Sequence, residues 1–333
     1  MEYKMYELLR KLCKAYGVAG READVRNTIS EIMKPYCDEI TVDNMGNLIC
    51  FKKGNGENPE KVMLCGHMDE IGFVVTFIEE DGVIRIASMG GINYTASAFT
   101  NVVFNNGTQG VLVPESGATP SFDKCYIDIG AKDRKTAEKK VKVGDVCRCV
   151  PSVTRLMGTR VCGRPLDDRV GCEAVILVAE KLKDGCYDDM YYVFSVQEEV
   201  GCRGAKTAAY AIAPTRCIVY DVTGTGDVKG AKPMKCAIGD GAAIKIKDSS
   251  VICNDAMVDE LIACAKENKI KYQLEILTYG GTDTSSIQVA GAGAIGSALS
   301  IPTRYIHSSV ELLDMADLKA CVELTVAYLN RKR

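Results

Sequence analysis

Histidine is almost missing from this chain: its 333 residues include two, His67 and His307, so each is informative. A run of about 20 apolar residues, the length a membrane helix needs, is also missing, and no membrane partner is expected. There is no excess of basic charge. Lys plus Arg is 41 against Asp plus Glu at 44, a formal net charge of −3, which excludes the global basic field of a nucleic-acid binder. The N-terminal stretch Met1 to Glu7 is charged and lacks the apolar centre of a signal peptide, so a cytoplasmic location is expected.

The rest of the composition belongs to a globular protein. Hydrophobic residues make up 47% and charged residues 26%, which rules out disorder over most of the length. The length suits one large or two ordinary domains. Cysteine is abundant, with 16 residues. They are scattered through apolar runs, and the expectation is reduced thiols serving as small hydrophobes rather than a disulfide framework. Cys147-Arg148-Cys149 has the wrong spacing for a zinc knuckle.

Periodicity divides the chain. Met5, Leu8, Leu9 and Leu12 recur at helical spacing, and a second helix fits Glu22 to Tyr36. A hairpin follows, with Asn44-Met45-Gly46 between two alternating runs. Lys61 to Cys65 is a short apolar strand that leads into Gly66-His67-Met68-Asp69. From about Gly72 to about Gly163, short β-rich runs alternate with turn residues, as in a small barrel or sandwich, with one short helix near Thr136 to Lys140. After Leu166 strands and helices alternate again: a helix over Asp168 to Leu182, a buried strand over Met190 to Val196, and a closing helix over Ala316 to Leu329. The pattern predicts an α/β protein interrupted once by an all-β insert.

Functional residues of α/β sheets collect past the carboxyl ends of strands, and metal-type donors fall there. A carboxylate two residues after His67, Asp69, can orient a coordinating imidazole. Asp167 and Asp168 stand at a helix start, where both do not need to cap. Glu198 and Glu199 end a strongly apolar strand, where buried carboxylates are costly without a cation or a catalytic role. Neighbouring strand residues point to opposite sides, so the two glutamates are expected to do different jobs. Asp221 ends the next strand, and His307 follows another. His67 with Asp221, Glu199 with His307, and Asp167 between them would supply a dinuclear hydrolytic site with open positions for water. Glu198 is left over and suits a general base. Mixed nitrogen and oxygen ligation without cysteine fits Zn²⁺, Co²⁺ or Mn²⁺.

Five blocks together carry a family resemblance: Gly66-His67-Met68-Asp69-Glu70-Ile71-Gly72, Leu166-Asp167-Asp168-Arg169-Val170-Gly171, Gln197-Glu198-Glu199-Val200-Gly201, Gly280-Gly281-Thr282-Asp283, and Pro302-Thr303-Arg304-Tyr305-Ile306-His307-Ser308. In order, from about residue 5 to 330, the chain resembles the tetrahedral, or glutamyl/deblocking, aminopeptidases, dinuclear metallopeptidases sometimes named cellulase M. The resemblance implies a phosphorylase/hydrolase-like catalytic domain over 1–71 and 164–333, with a mixed sheet flanked by helices. It also implies an inserted barrel-like dimerisation domain over 72–163, through which dimers build a dodecamer. It makes His67, Asp167 and Asp221 ligands of one metal and Asp167, Glu199 and His307 ligands of the other. It matches Glu198 to the general base and Asp69 to the carboxylate behind His67, and it places a cis peptide after Asp167.

The expected activity is hydrolysis of N-terminal residues from short peptides by a water shared between two divalent ions, Glu198 taking its proton. The Gly280, Gly281, Thr282 and Asp283 loop is expected to shape the substrate pocket. Two other readings compete. A glycoside hydrolase of the endoglucanase type would use Glu198 and Glu199 but leave both histidines idle. A non-catalytic assembly protein on the same fold would be expected to have lost ligands. The sequence names no preferred N-terminal residue.

Overall fold

The computed structural model describes residues 2–331. Its centre is set by apolar runs that need cover on both faces. Lys61–His67 lies between Asp189–Ser195 and Arg216–Thr223, parallel to both, and Arg216–Thr223 pairs in parallel with Ile295–Arg304. Alternation sorts the side chains. Val62, Leu64, Tyr192, Phe194, Ile218 and Tyr220 join the larger core, whereas Met63, Cys65, Val193, Cys217 and Val219 join a smaller one. The helices Arg169–Lys181, Asp255–Glu267 and Met315–Leu329 cover the first face, and the small-residue helix Arg203–Ile212 covers the second.

Around this parallel centre the sheet is mixed and 11-stranded. The hairpin Glu39–Val42 and Leu48–Lys52 forms one edge, antiparallel to Asp189–Ser195. At the other side Glu311–Asp314, Arg160–Arg164 and Ser152–Arg155 follow one another antiparallel. Ala242–Lys247 and Tyr272–Ile276 branch from Ile295–Arg304. No helix among the described residues is long and apolar enough to cross a membrane.

The insert is a closed barrel of the strands Gly72–Ile78, Ile84–Met89, Cys125–Asp128, Gln109–Pro114, Asn101–Phe104 and Val146–Cys149, in that spatial order. It has its own core, with Phe73, Val75, Ile84, Val102, Leu112 and Ile127 inside. The expected short helix is Arg134–Ala137, capped by the Asp133 side chain. One boundary differs from the sequence reading. The barrel closes at Cys149, and the hairpin of Ser152–Arg155 and Arg160–Arg164 belongs to the large sheet through Glu311–Asp314. Alternation marks these residues as strands but carries no information about which sheet they join. All 16 cysteines are free thiols and most are buried, as small core hydrophobes are.

Candidate metal centre

Parallel pairing brings the donors together. Ser195 is in register with His67, so the chain leaving Asp189–Ser195 carries Glu198 and Glu199 past the end of His67's own strand. Asp221 lies near the end of the neighbouring strand, and His307 in the loop after Ile295–Arg304. Asp167 arrives from the opposite direction, between Arg160–Arg164 and the helix Arg169–Lys181, and the Asp167–Asp168 peptide is cis.

The His67 Nε2 atom faces Asp167 Oδ1 at 3.1 Å, Asp221 Oδ1 at 3.8 Å and Glu198 Oε2 at 3.9 Å. His307 Nε2 faces Asp167 Oδ2 at 3.3 Å and Glu199 Oε2 at 3.1 Å. Asp167 therefore presents one oxygen to each imidazole. Asp168 also comes within ligand range of His67 and Asp221, but its oxygens are engaged. Oδ1 accepts the Gly171 N–H at 2.9 Å as a helix cap, and Oδ2 accepts the His67 N–H at 3.1 Å. The adjacent aspartates thus divide the tasks, one for the cage and one for the helix.

The charges are strongly coupled. Burial and the neighbouring carboxylates push Glu198, Glu199 and Asp221 above the ordinary carboxylate range. Burial acts the same way on Asp167, but its contacts with His307 and His67 outweigh it and hold that carboxyl low. Burial opposes protonation of His307, and hydrogen bonding to Asp167 and Glu199 overcomes it, raising the imidazole to about 11. Buried anions gathered around two imidazoles, with an N/O donor set and no thiolate in the cage, fit a pair of divalent cations.

A layer of support surrounds the cage. Asp69 accepts the Glu198 N–H at 2.9 Å on one oxygen and the Glu199 N–H at 3.1 Å on the other, and it lies 3.5 Å from His67 Nδ1. Three supporting groups escaped the sequence reading. Glu311, 1% exposed, accepts the Leu166 and Asp167 N–H groups at 2.7 and 3.1 Å and the His307 N–H at 3.4 Å. Glu22 accepts the N–H groups of Gly20 and Gln197, at 2.7 and 3.2 Å, and so braces the loop of Glu198. The third is the glycine pair of the barrel. A Cβ at Gly90, whose φ is +91°, would meet Ile71 and Glu199, and one at Gly91 would lie 3.2 Å from His307 Nδ1. Only the buried strand Glu311–Asp314 and the glycine pair itself hinted at these roles, and neither is distinctive in sequence.

Beside the cage lies a cavity of about 770 Å³, lined by Asp167, Glu198, Glu199, Asp221 and His307 and continuing along Gly280 and Gly281. Thr282 and Asp283, expected with them at the substrate pocket, are 2% and 1% exposed and do not line it. The Asp283 carboxylate instead accepts the Ser195 hydroxyl behind the strand ends.

The fold and this cage define a metal-dependent hydrolase. The family profile described as M42 glutamyl aminopeptidase matches residues 46–324, and the chain belongs to that family. A relative from Acetivibrio thermocellus is 44% identical over 329 residues, 98% of each chain. Among solved structures, an aminopeptidase from the archaeon Desulfurococcus kamchatkensis superposes with a TM-score of 0.94 at 33% identity, covering 99% of this chain and 96% of its own. The Pyrococcus horikoshii TET1 peptidase, described as assembling into a tetrahedron or a large octahedral shell, gives 0.86 at 32% identity over 98% and 99%.

Proposed function

We propose that the protein is a dinuclear metallo-aminopeptidase that releases N-terminal residues from short peptides, with Glu198 as general base. The observation that carries this reading is Asp167, whose two oxygens face the two imidazoles at 3.1 and 3.3 Å. His67, Asp167 and Asp221 would hold one ion, and Asp167, Glu199 and His307 the other, with Zn²⁺, Co²⁺ or Mn²⁺ suited to the donors. When bound, such cations acidify a water and polarise the scissile carbonyl.

The chain's own residues do the rest. Glu198 lines the cavity beside the donors of both ions, where a carboxylate can exchange a proton with the attacking water. Its carboxylate accepts the proton of the attacking water and returns it to the departing amine nitrogen as the C–N bond breaks. The Cys202 thiol, 3.2 Å from Glu198 Oε1, donates to the base and holds it in place. Gly280 and Gly281 form part of the substrate wall. A glycosidase reading would leave both imidazoles without a task, and an inert assembly protein would not be expected to retain the whole donor set.

The replacement Glu198→Gln tests the assignment. Turnover of an aminoacyl chromogenic substrate should fall about 10²–10⁴-fold, while metal content by elemental analysis stays at the wild-type level. Substantial residual turnover with the metals in place would refute the role of Glu198.

The barrel, over residues 72–149, is the proposed dimerisation domain, with dimers building a dodecamer. Phe99 and Phe122 support this, since both are large apolar side chains left 71% and 60% exposed on the insert.

A further inference from the structure

We propose that the cavity beside the cage selects an uncharged, apolar N-terminal side chain. This rests on the aminopeptidase reading and goes beyond it by naming the substrate class.

The argument is one of elimination. Every carboxylate lining the cavity, Asp167, Glu198, Glu199 and Asp221, is already assigned to the cage or to proton transfer. None is left to pair with the ammonium of a basic side chain. Arg304 is the one lysine or arginine among the lining residues, and it is neutralised. Its Nε and Nη2 atoms donate to the two oxygens of Asp227 at 3.1 and 2.6 Å, the bidentate arrangement that engages a guanidinium most fully. Lys245 does not line the cavity. It is fully buried between Glu275 and Asp248.

Two of the three lining threonine hydroxyls are committed, and the third, of Thr225, is buried beside Asp227. The Thr223 hydroxyl donates to Glu275 at 2.8 Å, and the Thr303 hydroxyl to the Ile301 carbonyl at 3.0 Å. What remains facing the space is apolar: Val222, Val228, Leu277 and Ile306, with the rings of Tyr279 and Tyr305. Those rings are 57% and 50% exposed, and Tyr305 is held out by a left-handed backbone, φ 62°. An aliphatic or aromatic side chain would cover this surface. A charged one would lose its hydration with no counter-charge in return.

The test is a panel of leucyl, phenylalanyl, glutamyl and lysyl p-nitroanilides on the metal-loaded enzyme. The leucyl or phenylalanyl substrate should exceed both charged ones in kcat/KM by at least about tenfold, within the range that pocket complementarity commands. Asp227→Asn should free Arg304 and raise the glutamyl-to-leucyl ratio several-fold without raising the lysyl one. A wild-type preference for glutamyl or lysyl substrate overturns this inference and leaves the aminopeptidase reading standing. An unchanged ratio in Asp227→Asn overturns the neutralisation on which the inference depends. Failure to cleave any of the four with Zn²⁺, Co²⁺ or Mn²⁺ overturns the aminopeptidase reading and the inference with it.

Discussion

Asp69 holds three parts of the centre at once, although it binds no metal in the proposed scheme. Each of its oxygens takes one backbone N–H, from Glu198 and from Glu199, and one of them also faces His67 Nδ1. Asp69→Asn would turn one acceptor into a donor aimed at an N–H. The expected result is a 10–100-fold loss of metal affinity or activity, typical of a group behind a ligand. Metal titration by calorimetry reads it, and wild-type affinity in the variant would contradict the role. At this scale the sequence exposed the residues that touch the cage, because carboxylates and scarce imidazoles at the ends of apolar strands are conspicuous. It concealed Glu311 and Glu22. Both act on backbone N–H groups supplied by distant segments, and backbone partners leave no mark in a residue pattern. The same limit explains Thr282 and Asp283, where a glycine-rich turn signals a loop but not which of its residues face the solvent.

Between elements, the joint between the two bodies is a buried charge cluster. Glu70 follows the His67 strand, Arg148 comes from the last barrel strand, and Arg169 opens the helix after the Asp pair. Arg148 and Arg169 reach Glu70 Oε1 at 2.7 and 3.3 Å, and both also donate to carbonyls at the end of the first helix, Glu2–Lys14. Cations at a helix C-terminus are favourable, but two buried guanidinium groups need their anion. Glu70→Ala should therefore destabilise the fold by about 3–5 kcal/mol, the cost of stranding a buried charge, measured from the urea midpoint at constant slope. A loss under about 1 kcal/mol would show that the joint carries little. The helices and the parallel strands were legible from their periods, and the closing helix, read over Ala316 to Leu329, spans Met315–Leu329. The far hairpin was not, since its partner strand Glu311–Asp314 lies some 150 positions onward and registers Val161 against Leu313.

For the whole molecule, the proposed assembly depends on the insert. A preparation at micromolar concentration should sediment as a multiple of the 36.1 kDa chain. The paired replacement of Phe99 and Phe122 by glutamate should lower that multiple by placing charge where apolar contact is expected. A wild-type protein that sediments as a single chain would refute the assembly, and a variant unchanged in mass would move the interface away from these rings.

Gly90 and Gly91, where the chain leaves the barrel strand Ile84–Met89, lie against Glu199 and His307, and the Asn93 N–H donates to the His307 carbonyl at 3.0 Å. The insert is consequently no detachable ornament. A chimera that borrows a different barrel needs glycine where the chain leaves that strand, because a methyl group there would crowd Glu199 on one side and press within 3.2 Å of the imidazole on the other.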